Sequence, residues 1–166
     1  AAAAEQLQSW ASRVGAEVGS DVPFFLGTAA AICRGRGEQV EPVGRLARLW
    51  AVVVRPPEGL STRDVYAQVD TSDRPRSLGP LLAALQRGDW RELRSRLHNR
   101  LEPAAARLSP WITRLREEFK SADCLAEQMS GSGSSYFGIC RNARHAQRLA
   151  TRLASRGLGC VYAVST

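Results

Sequence analysis

The sequence predicts an α+β fold, and three observations carry that reading. Helix-period apolar patterns fill the start and the middle of the chain. Short apolar runs bounded by Gly and Pro lie between them, and the last third reads strand, strand, helix, strand. At 166 residues the chain is long enough for one ordinary domain, or one plus a piece of a second, without disulfide support.

Taken in order, residues 5–18 carry Leu7, Trp10, Val14 and Val18 at spacings of three and four, which predicts an amphipathic helix with one apolar face. The stretch DVPFFLGTAAAICRGRGEQVEPV then changes to short apolar runs broken by Gly27 and by Gly35-Arg36-Gly37. It predicts two tightly joined strands, with Pro23 at a strand start or edge where no ladder donor is needed. LARLWAVVVRPP predicts a buried strand that stops at Pro56-Pro57. Ser61 and Thr62 offer a helix N-cap with Asp64 in the first turn, giving a short helix to about Val69.

TSDRPRSLGP is a polar connector, followed by helices near Leu78–Gln86, Trp90–Leu97 and Pro110–Lys120. CLAEQM and SSYFGIC then form a hairpin through SGSG, whose glycines supply positive φ. NARHAQRLATRLASRG is a helix with Ala146, Leu149, Ala150 and Leu153 inward and Gly157 past its end, and GCVYAVST is the last strand. From Leu46 onward this order resembles a ferredoxin-like sandwich enlarged by extra helices, an antiparallel sheet with helices on one face.

Composition narrows the function classes. Hydrophobic residues make up 44% and charged residues 23%, as in soluble globular proteins. No apolar run approaches the ~20 residues of a spanning helix, so no membrane partner and a cytoplasmic location are expected. The net charge of +7 arises from 22 Arg and the single Lys120 against 16 acids. The arginines are dispersed: Arg87, Arg91, Arg94, Arg96 and Arg100 interleave with Asp89 and Glu92, which favours a solvated helix face over a phosphate-binding stripe. Cys33, Cys124, Cys140 and Cys160 form no C-x-x-C pair, and three of the four read as small core hydrophobes in strands. With only His98 and His145, no metal site is expected.

Three segments could carry chemistry. SGSGSSYFG, residues 130–138, could turn backbone N–H groups toward an anion, yet by spacing alone it is equally a plain small-residue hairpin. Tyr66 could stack on a base or lie in the core, and Asp21 in GSDVPFFLG could be a turn residue or a placed carboxylate.

Their combination and order decide. GSDVPFFL after a helix, a G-x-G-E turn, PxxGLSTxxVY at a strand-to-helix corner, a helical HNRLEPAA segment and MSGSGSSYFG together resemble the later part of the 4-diphosphocytidyl-2-C-methyl-D-erythritol kinases of the GHMP kinase superfamily. The resemblance runs from about Leu7 to the end. It implies a ferredoxin-like GHMP kinase C-terminal domain over residues 46–166, preceded at 1–45 by the last part of the family's ribosomal-S5-like N-terminal domain. It also implies ATP-dependent phosphorylation of a cytidine diphosphate derivative in non-mevalonate isoprenoid biosynthesis, with Mg²⁺ and no nucleic-acid partner, by a monomer or homodimer. Asp21 matches the catalytic aspartate, Thr62 and Tyr66 the grip on the cytidine, and Gly131, Ser132 and Gly133 the loop against the phosphate site. Asn99 and Glu102 match a helical motif of structural role.

Two departures stand out. The family's N-terminal lysine strand and its G-L-G-G-G-S-S phosphate loop have no counterpart among these residues. A chain read this way carries half an active site and is expected not to turn over alone. Two other readings stay open: a related small-molecule kinase acting on a different alcohol, and a basic ferredoxin-like nucleic-acid binder, which the missing K/R-G-F/Y strand signature disfavours.

Overall fold

The computed structural model describes residues 2–19, 21–27, 30–44, 46–72 and 75–166. They fall into two compact units, Ala1–Leu46 and Ala47–Thr166.

In the first unit, α1 (Ala2–Val18) leads into a four-residue helix, α2 (Val22–Phe25). Strands β1 (Ala31–Arg34) and β2 (Gln39–Pro42) then pair antiparallel, Ala31 facing Pro42 and Arg34 facing Gln39. The expected turn joins them: Gly35 and Gly37 take positive φ, +67° and +119°, and the Arg36 N–H donates to the Glu38 carboxylate at 2.7 Å. Val-Pro-Phe-Phe, by contrast, is helical and not a strand. Pro23 sits in the first helical turn, where its missing N–H costs nothing and its fixed φ suits the helix. The apolar face of α1 also departs from expectation, since Leu7, Trp10, Val14 and Val18 are all exposed. A four-residue helix and a two-stranded hairpin offer too little surface to cover four such side chains.

The second unit is built on a four-stranded antiparallel sheet in the order β4-β5-β3-β6, formed by β3 (Trp50–Arg55), β4 (Ala126–Met129), β5 (Tyr136–Cys140) and β6 (Cys160–Ser165). This is the expected ferredoxin-like order, with the first strand between the third and the last. Six helices complete the unit: α3 (Thr62–Ala67), α4 (Gly79–Arg87), α5 (Trp90–Arg96), α6 (Glu102–Leu108), α7 (Pro110–Lys120) and α8 (Ala143–Ala154). The boundaries of α3, α4, α5 and α7 agree with the periodicity to within two residues, whereas the HNRLEPAA segment is helical only from Glu102 onward. Asn142 caps α8 through the His145 N–H, and Gly157 follows it at φ +64°.

The register places Val52 opposite Gly138 and Val54 opposite Tyr136, so these residues share one face. There they meet Ile112, Leu115 and Phe119 of α7, Ala104 and Ala105 of α6, and Leu149 and Leu153 of α8 in the main core. The expectation that all helices share one face fails at the β4–β5 end. Ala126 and Ile139, paired across the strands, point the other way and join Ala84 of α4 and Leu93 of α5 in a second core. The cysteines also divide differently: Cys124 and Cys140 are buried, while the strand residues Cys33 and Cys160 are exposed.

One glycine sets how closely α7 approaches the sheet. A Cβ at Gly138 would lie 2.6 Å from Cys124 Sγ and 2.7 Å from Phe119 Cδ1, and the Phe119 ring stacks on Tyr136 with centroids 5.4 Å apart. Gly138→Ala is expected to destabilise the fold by about 1–3 kcal/mol through overpacking. Urea denaturation measures this, and an unchanged midpoint would refute the close packing.

Candidate functional site

The site is assembled around the connection between β4 and β5. The Ser130 N–H donates to Ser135 O and the Gly133 N–H to Ser130 O, both at 2.9 Å, which closes residues 130–135 into a tight loop. Gly131 and Gly133 adopt φ of +55° and +89°, as expected of hairpin glycines. They have different surroundings. A Cβ on Gly133 would meet Met129 Sδ at 3.1 Å and Leu60 Cδ1 at 3.3 Å, whereas one on Gly131 would meet nothing within 4 Å. The loop is thus pressed onto the core at Gly133 and open at Gly131. Among the described residues, the N–H groups of Gly131 and Ser132 have no protein acceptor, an arrangement that suits an anion.

Three side chains hold this loop. Thr62 Oγ1 and Ser132 Oγ share a hydrogen bond of 2.8 Å, so two segments 70 residues apart meet. Ser134 Oγ donates to Glu58 O at 2.7 Å and ties the loop to the connector after β3. Asn99 Nδ2 donates to Met129 O at 2.9 Å and to Gly131 O at 2.8 Å, while Asn99 Oδ1 accepts from the Leu101 N–H at 2.9 Å. Glu102, one turn on, accepts from Tyr136 OH and from Gln128 Nε2, each at 3.2 Å. Burial and that neighbouring carboxylate push the Tyr136 phenol above its ordinary value. The structural role expected of Asn99 and Glu102 therefore has a specific form: one clamps the glycine loop and the other fixes the strand beside it.

Helix α3 carries the other half of the site. Ser61 Oγ accepts from the Asp64 N–H at 3.3 Å as the expected N-cap. Val65 is fully buried and anchors the helix, whereas Tyr66 is 62% exposed. The core reading of this tyrosine is therefore excluded, and its ring is open to a planar partner. Asp21 belongs to the first unit, at the N-cap position of α2, and its side chain makes no capping hydrogen bond. The structure thus brings together Thr62, Ser132, Gly131 and Gly133, and leaves the Asp21 carboxylate exposed and unspent on capping. Sequence reasoning missed Ser134 and the Asn99 clamp. A polar Asn just before a Leu-Glu-Pro helix start is the signal that could have pointed to the clamp.

Residues 81–158 match the family model described as GHMP kinases C terminal. These residues form a GHMP kinase C-terminal domain. It is 38% identical over 137 residues to the 4-diphosphocytidyl-2-C-methyl-D-erythritol kinase of Shouchella clausii, covering 82% of this chain and 46% of that protein. It is 40% identical over 155 residues to the enzyme of the same name from Nocardioides sp., covering 90% and 52%. The crystal structure of a 4-(cytidine 5'-diphospho)-2C-methyl-D-erythritol kinase superposes with a TM-score of 0.79 at 34% identity, over 93% of this chain and 56% of that one. A homoserine kinase from Cytophaga hutchinsonii, at 22% identity and a TM-score of 0.61, shares the fold. The chain spans about half the length of the curated relatives it matches.

Asn99 gives the prediction for this site. Asn99→Ala removes both loop bonds and leaves two carbonyls short of a donor, a loss of about 1–3 kcal/mol. Hydrogen exchange should speed up at the amides of residues 130–135 while those of α8 keep their protection. Unchanged exchange in the loop would exclude the clamp.

Proposed function

We propose that this chain carries the substrate-gripping and general-base half of a kinase that transfers the γ-phosphoryl group of ATP to the 2-hydroxyl of 4-diphosphocytidyl-2-C-methyl-D-erythritol. The observation that carries this reading is the 2.8 Å bond between Thr62 and Ser132. It joins the corner that presents an exposed Tyr66 to the glycine loop whose open N–H groups suit a phosphate. A base-stacking surface and an anion-binding surface side by side suit a nucleoside diphosphate. The relatives named above for this substrate support the same choice.

In this reading Tyr66 stacks on the cytosine face, and Thr62 and the loop of Gly131, Ser132 and Gly133 hold the phosphate end. Asp21 takes the proton of the substrate hydroxyl as its oxygen attacks the γ-phosphorus and ADP leaves. Phosphoryl transfer depends on such alignment and charge stabilisation more than on covalent help. Mg²⁺ would accompany the nucleotide and offset its charge. Among the described residues no cluster of three or more His, Cys, Asp or Glu forms, so the chain's own part rests on Asp21, Thr62, Tyr66 and the loop. Residues 1–45 would be the end of the family's N-terminal domain and 46–166 its C-terminal domain. The protein would act in the cytoplasm as a monomer or homodimer, without nucleic acid.

Two measurements test this. The 166-residue chain incubated alone with ATP, Mg²⁺ and the diphosphocytidyl substrate should release no ADP. A chimera joining it to the preceding half of the Nocardioides relative should turn over. In that chimera Tyr66→Ala should weaken substrate binding by about 1–3 kcal/mol, the loss typical of base stacking. Asp21→Asn should lower kcat by roughly 10²–10⁴-fold, the usual contribution of a general base. An unchanged KM in the first variant would argue against cytidine recognition, and an unchanged kcat in the second would remove Asp21 from catalysis.

A further inference from the structure

A cavity of about 670 Å³ in the second unit lies beside this site and shares Asn99, Ser130 and Gly131 with it. It reaches the glycine loop through Ser130 and Gly131, but Thr62, Tyr66 and Ser132 do not line it. Its walls have a consistent chemistry. Arg76 reaches it from the connector before α4, Arg96 from the end of α5 and Arg100 from the segment between α5 and α6, while Leu78, Leu97 and Phe137 supply apolar surface. Among the described residues no Asp or Glu lines it. The nearest carboxylate partner of this set is Glu92, which takes one hydrogen bond from Arg96 Nε at 2.7 Å. Arg100 donates to the carbonyl of Asp70, at 3.0 and 3.3 Å, and its charge helps hold the exposed Asp70 carboxyl below its ordinary value, while Arg76 forms no ion pair among the described residues. Cationic charge in the groove is therefore incompletely neutralised.

An arginine-rich wall without a lining carboxylate selects anions, and guanidinium groups pair well with phosphate oxygens. Adjoining leucine and phenylalanine surface favours a ligand whose anionic end is attached to an apolar body. The sequence placed Arg96 and Arg100 on a solvated helix face. The fold turns them, with Arg76 from a separate segment, onto one groove.

We propose that this groove is a second ligand site of the chain, taking a small amphiphilic phosphate: a phosphate or diphosphate group on the arginines and a hydrocarbon or ring body on Leu78, Leu97 and Phe137. Asn99 lies in the wall of the groove and holds the carbonyls of Met129 and Gly131. Occupancy is therefore felt at the glycine loop.

Isothermal titration of the full chain with hexyl phosphate, methyl phosphate and hexanol tests the site. Hexyl phosphate should bind at least 10-fold more tightly than methyl phosphate, and hexanol should not bind measurably. The Arg76→Ala/Arg96→Ala double variant should lose at least 10-fold in affinity for hexyl phosphate. Arg96→Lys, which keeps the charge and the fold, should lose less. Leu78→Ser, at an exposed position, should reduce the advantage of the hexyl chain, and Ser132→Ala should leave binding unchanged. Absence of hexyl phosphate binding, or binding that survives the double variant, overturns the proposal. So does binding lost in Ser132→Ala, which would place the phosphate on the glycine loop. That last result would leave the kinase reading intact, and failure of the kinase reading would leave the titration result standing.

Discussion

The close approach of α7 to the sheet at Gly138 is the constraint on which the rest of the second unit depends. Because no Cβ stands there, Phe119 lies on the strand and stacks on Tyr136. Tyr136 in turn passes its hydroxyl to Glu102 at the start of α6. Three residues before Glu102, Asn99 reaches the carbonyls of Met129 and Gly131. A packing decision in the core is thereby carried through one aromatic pair and one carboxylate to the glycine loop. Phe119, Tyr136 and Met129 in this chain of contacts are buried, so the loop is anchored on the core.

The two units contribute different things. The first offers a carboxylate, Asp21, that the backbone geometry places at a helix start without consuming it. It also exposes a row of large apolar side chains along α1, a surface of the kind that marks contact with other protein. The second holds neutral groups: the Thr62–Ser132 hydroxyl pair, the exposed Tyr66 ring and the glycine loop. Charge at the site is sparse, while the groove next to it gathers arginine. Part of the dispersed positive charge of the chain is thus gathered by folding into this groove, while elsewhere it is paired, as at Arg94, whose guanidinium meets Glu127 at 2.9 Å.

Much of the second unit was legible in its residues. The WAVVV run, the Ser61 cap and the four inward positions of α8 each depend on local periodicity or capping, and each appears where expected. Val-Pro-Phe-Phe was misread because an apolar run of that length fits a strand or one helical turn equally well, and Pro at the first turn favours the helix. The second core under α4 and α5 was invisible because Ala126 and Ile139 reveal a face only once their register is known.

The sequence by itself determined the order of elements, the turn and cap positions, and the set of residues able to do chemistry, because each depends on neighbours a few positions away. Only the tertiary structure decided where those residues lie and what they touch. Tyr66 could have been core or surface, and the 62% exposure of its side chain decides for surface. Gly131 and Gly133 look alike in the chain, yet one is open and the other is packed on Leu60 and Met129. Thr62 and Ser132 share a hydrogen bond across 70 residues. Burial and long-range contact are properties of the packed chain, and no local pattern encodes them.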